Sequence, residues 1–81
     1  MTIISRRDAL LRQAIQLLKG GDDSQVPLSA RLLLGQLYLQ LNMTAEAQAE
    51  YEKARDGDDA RISLVAKARL ASMKVAAFAA R

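Results

Sequence analysis

Residues 28–61 read LSARLLLGQLYLQLNMTAEAQAEYEKARDGDDAR, and the fold is decided there. Apolar residues crowd the first half at helical rather than alternating spacing, and Asn42-Met43 breaks the run. Thr44 is a hydroxyl residue placed to cap a following helix. In that helix Ala47, Tyr51 and Ala54 recur four and three apart, so they share one face. Leu34, Gly35 and Tyr38 form the matching set in the first helix. A glycine inside a helix costs about 1 kcal/mol, so Gly35 wants a packing reason. The stretch therefore predicts a helix–turn–helix hairpin.

The same reading extends outward to two flanking helices. Ser5 followed by Asp8 has the spacing of a capping box. Leu10, Leu11, Ala14, Ile15, Leu17 and Leu18 then recur at helical intervals until Gly20-Gly21 ends the segment. GDDSQVP is a loop, and Pro27 fits the first turn of the next helix, where its missing N–H costs nothing. Asp58 or Asp59 can cap a last helix over about 60–80. The expected fold is all-α: one small domain over 1–81, with four helices as antiparallel hairpins, a full unit at 28–61, and flanking helices at about 5–19 and 60–80.

The residues Leu34, Gly35, Tyr38, Ala47, Tyr51 and Ala54 resemble the signature of the tetratricopeptide repeat (TPR) family, a helix–turn–helix unit of about 34 residues. In that family the glycine faces a small residue of the second helix, which Ala47 matches. Tyr38 and Tyr51 match its large packing positions. Arg31 stands where the family has a large Trp-like residue, and Asp59 where it has a proline. Residues 9–21 are similar to another second helix, with Ala14 and Leu18 in the places of Ala47 and Tyr51. The last helix lacks the Gly-Tyr signature, as a terminal helix often does. The chain thus resembles one full repeat with flanking half-repeats, where stable stacks usually need about three.

The resemblance implies a protein-binding module whose ligand lies along the inner face of the first repeat helix. The matching positions are Ser29, Leu32, Gln36, Leu39 and Gln40. Members that clamp terminal carboxylates carry a Lys and an Asn where Leu32 and Gln36 stand, so that ligand is not expected. Two leucines among amides suit an amphipathic helix; the plainer reading packs Leu32 and Leu39 on a neighbouring helix. In size and architecture the chain also resembles small bacterial TPR chaperones of type III secretion needle and export subunits.

Both long apolar helices carry more apolar surface than one face can bury. In the second, Leu28, Leu32 and Leu39 take one side, Ala30, Leu33, Leu34, Leu37 and Leu41 the other, and only Ser29, Gln36 and Gln40 form a polar wedge. Such a helix should be buried on more than one face. In the last helix Leu64, Ala68, Ala71, Val75 and Phe78 form one arc, and Ile62, Ala66, Leu70, Met73 and Ala77 another. The size of Ile62, Leu70 and Met73 makes that second arc the expected interface. Its occupant would be another protein or, as the alternative, a second copy of the chain.

Composition narrows the classes. The chain has 81 residues, 51% of them hydrophobic, with no cysteine and no histidine. That argues against disorder, a disulfide framework, a thiolate metal site or histidine-based catalysis, and no cofactor is implied. The carboxylates have no base, nucleophile or metal partner beside them, so an enzyme is not expected. No apolar run is long enough to span a bilayer, and MTIISRRDALL carries its charges after its apolar residues, the wrong order for a secretory signal. A cytoplasmic location is the expectation. Net charge is +3, with Arg61, Lys67, Arg69, Lys74 and Arg81 in an acid-free last helix. Nucleic-acid binding would use these cations, but no aromatic readout element accompanies them.

Overall fold

The computed structural model describes residues 5–79, which form four helices and a short 3-10 turn. The helices are α1 (Arg6–Lys19), α2 (Leu28–Gln40), α3 (Thr44–Arg55) and α4 (Ala60–Ala79). The 3-10 turn, Asp23–Gln25, lies within the α1–α2 loop. The protein is all-α, as the periodicity predicts.

The helix boundaries follow local chemistry. Ser5 caps α1 through its hydroxyl, which accepts from the Asp8 N–H at 3.0 Å. Gly20 ends α1 at φ 64°, a conformation open to glycine at little cost. Pro27 sits one residue outside α2 rather than in its first turn, and its carbonyl accepts from the Arg31 N–H. Asn42, at φ 60°, turns the chain between α2 and α3; Asn tolerates that region better than most residues. Thr44 is the first residue of α3 rather than its cap, because Met43 occupies the cap position and no side chain caps the helix there. Asp59 caps α4, its carboxylate accepting from the N–H groups of Arg61 and Ile62.

The connections of α2 to α3 and α3 to α4 are short, so consecutive helices lie antiparallel and packed together. The core sits between them: Ile15, Val26, Ala30, Leu34, Tyr38, Ala47 and Tyr51 form one buried cluster. Ala54 and Ala66 are also fully buried, and their small side chains let helices approach closely. Leu34 and Tyr51 are the largest side chains wholly removed from water.

The space beside Gly35 is occupied by the ring of Tyr51, where the resemblance leads one to expect Ala47. A Cβ at residue 35 would lie 2.6 Å from Tyr51 Cε1. Gly57 plays a similar part in the α3–α4 turn, where the side chain of Leu28 covers it. The chain is a slab, 44 × 37 × 14 Å between Cα extremes.

Candidate functional site

The exposed face of α2 carries Ser29, Leu33, Gln36 and Gln40. At about 100° per residue these four fall within one narrow sector. Leu33 therefore belongs to the amide wedge, not to the apolar side with Leu34 and Leu37. It is 50% exposed, the most exposed large apolar residue of α2. Leu32 and Leu39 run along the edge of this face, half-buried and packed against the core. They border one edge of the face rather than standing free as anchors. The Arg7 guanidinium donates to the Gln40 amide oxygen at 3.3 Å, tying α1 to the end of the face.

The α4 arc expected to form an interface packs inward instead. Leu70 and Met73 pack against the core, Ile62 is half-buried and Ala66 is fully buried, so that arc faces the hairpin. The reason is Ala66: with only a methyl at its centre, this arc allows α4 to approach closely. Leu64, Val75 and Phe78, on the opposite arc, are 69%, 69% and 77% exposed. Ala77, though on the inner arc by rotation, is exposed because α4 outruns the hairpin. Its 20 residues span about 30 Å against about 18 Å for the 12 of α3.

An ionic cluster, buried at Arg31 and Glu50 and exposed at Asp23 and Lys53, joins α2, α3 and the α1–α2 loop. Arg31 and Glu50 are 6% and 4% exposed, and Arg31 Nη1 lies 2.9 Å from Glu50 Oε2. The same guanidinium donates to the Asp23 carboxylate at 2.9 Å and to the Asp23 carbonyl oxygen. Lys53 Nζ completes the group, 3.4 Å from Asp23 and 3.8 Å from Glu50. The hydrogen bond from Arg31 pulls the Asp23 carboxyl down to about 2, and that bond in turn raises the Arg31 pKa. The arrangement is a strap: the Arg31 guanidinium holds the α1–α2 loop onto the hairpin. The sequence held a signal for it, since Glu50 lies on the same stripe as Ala47, Tyr51 and Ala54. Asp23, distant in sequence, gave none.

The four cations of α4, Arg61, Lys67, Arg69 and Lys74, are exposed. Among the described residues no ion pair joins them to the acids of α3. Arg81 lies outside the described residues. A shallow cleft between α1 and α2 is lined by Arg12, Ile15, Gln16, Tyr38 and Met43. Beside it Lys19 donates to the Tyr38 hydroxyl at 3.3 Å. Among the described residues no helix is long and apolar enough to cross a membrane, and no cluster of His, Cys, Asp and Glu is placed to hold a metal ion. Comparisons with protein-family models, with curated proteins and with solved structures find no match to this chain.

Proposed function

We propose that this chain is a TPR-like protein-binding module that holds an amphipathic helical segment of another protein against α2. The observation that carries this reading is Leu33, half exposed between Ser29, Gln36 and Gln40, with Leu32 and Leu39 bordering one edge of the face. An apolar anchor entering there is desolvated by three leucines, while the amides adapt to the polar edge of the incoming helix. The slab shape, 14 Å in its thinnest dimension, supports the same reading, because a partner helix would cover apolar side chains that this fold leaves exposed.

Within that class, size and helical architecture support a small chaperone that keeps a self-assembling subunit soluble, such as a type III secretion needle or export subunit. The lack of cysteine suits a reducing compartment, and we place the activity in the cytoplasm. Co-purification of the tagged chain from its own cells tests the proposal. The reading requires a partner that is retained by the unaltered chain and lost with Leu33→Glu. A clean monomer that never carries a partner argues against it.

A further inference from the structure

The outer side of α4 is a second recognition surface with its own chemistry. Leu64, Ala68, Ala71, Val75 and Phe78 are spaced four, three, four and three apart, the alternation of a coiled-coil seam. All five are exposed. The helix is anchored on its other side by Ile62, Ala66, Leu70 and Met73, so the seam points away from the hairpin. Lys67 and Lys74, seven residues apart, stand along one flank of the seam, both exposed. The other flank holds Val65, Ser72 and Ala79, which carry no charge, with Arg61 at its N-terminal end. No acid occurs anywhere in α4.

We propose that this seam docks a helix of a different protein, one with large apolar residues along its own seam and Asp or Glu on the flank that meets Lys67 and Lys74. Charge selects this occupant. A second copy paired antiparallel along α4 would set Lys67 against Lys74, like charges that repel. Paired parallel, it would set the lysines against Ser72 and Ala79, which offer no countercharge. A foreign helix with acids on that flank satisfies both lysines. Shape selects a helix over a lipid surface: Ala68 and Ala71 form a low saddle between Leu64 and the Val75–Phe78 end. Large side chains of a second helix fill such a saddle at close interaxial distance. This surface is separate from the α2 face and does not depend on it.

The test uses the full chain and two synthetic helical peptides of about three heptads with the same leucine seam. One carries Glu and the other Lys at the flanking positions, and binding is read by fluorescence anisotropy. The Glu peptide should bind about tenfold tighter than the Lys peptide, with the difference shrinking in high salt. Lys67→Glu with Lys74→Glu should reverse the order. Val75→Glu, an exposed change that leaves the circular dichroism spectrum intact, should weaken binding of both, whereas Gln48→Glu, on the exposed side of α3, should leave it unchanged. Equal affinity for the two peptides, or no binding of either, overturns the proposal. So does a self-dimer dispersed by Val75→Glu, or adsorption to phosphatidylcholine–phosphatidylglycerol vesicles by a chain that ignores the Glu peptide.

Discussion

Tyr51 fills the space that a side chain on residue 35 would need: its Cε1 lies 2.6 Å from where a Cβ would stand. Tyr51 is buried, so its ring has no room to withdraw. This contact lets α2 and α3 approach closely.

Gly35→Ala should therefore destabilise the protein even though alanine favours helix. The propensity gain is about 1 kcal/mol, against an overpacking cost of about 1–3 kcal/mol. Gly35→Leu should cost more and lower the thermal midpoint further. Gly35→Ala combined with Tyr51→Leu should be less destabilising than the sum of the two, because the smaller side chain frees the space. Additive losses in urea unfolding would show that the two residues do not share it.

Removing one partner of the buried ion pair should be costly. Glu50→Leu leaves Arg31 buried with only Asp23 to balance it, and breaking a buried pair typically costs about 3–5 kcal/mol. Arg31→Met with Glu50→Leu should recover most of that loss, since apolar residues of similar size pack without desolvating a charge. A double variant no more stable than Glu50→Leu alone would mean that the pair stabilises the hairpin outright.

Acid should loosen the α1–α2 strap in a defined range. Asp23 has its pKa lowered from 3.8 to about 2, chiefly by the hydrogen bond from Arg31. A carboxyl with a depressed folded-state value contributes stability that is complete above its unfolded value and is lost as pH falls through the folded one. Urea midpoints should thus decline between about pH 4 and pH 2, and Asp23→Asn should flatten that part of the profile. Asp56, held down by Arg55, leaves a residual slope. An Asp23→Asn profile parallel to the unaltered one would remove Asp23 from the strap.

Much of this fold was legible because helices announce themselves locally. Ser5, Gly20, Asn42 and Asp59 mark ends or turns through backbone chemistry that acts within a few residues. The stripe Ala47–Tyr51–Ala54 read as buried because periodicity alone sets a face. Which of two apolar arcs on α4 faces inward was not legible, since both arcs are apolar and the choice rests on the fit of Ala66 against the hairpin. Size misled there: Leu70 and Met73 are large because they reach across to the core. On α2 the arc drawn around Leu33 was too wide. Its angular position puts it among Ser29, Gln36 and Gln40, and the structure leaves it half exposed there. The Arg31–Glu50 pair was not read: carboxylates on a helix are ordinarily solvated, whereas Glu50 is buried against Arg31.

Leu33→Glu and the pair Leu32→Glu with Leu39→Glu should separate the exposed position from the packed edge. Leu33→Glu should change stability by no more than about 0.5 kcal/mol, as exposed substitutions do. The pair should destabilise by several times that, because half-buried leucines become charged without partners. Equal thermal midpoints for the two variants would mean that Leu32 and Leu39 do not pack on the core.

In-cell photo-crosslinking tests the binding role of the α2 face most directly. A photoreactive phenylalanine analogue placed at Leu33, or as a control at the exposed α3 residue Gln48, reports what lies against each face. The account predicts a discrete covalent adduct to another protein from position 33 and none from position 48. The same products from both positions, or none from position 33, would contradict it.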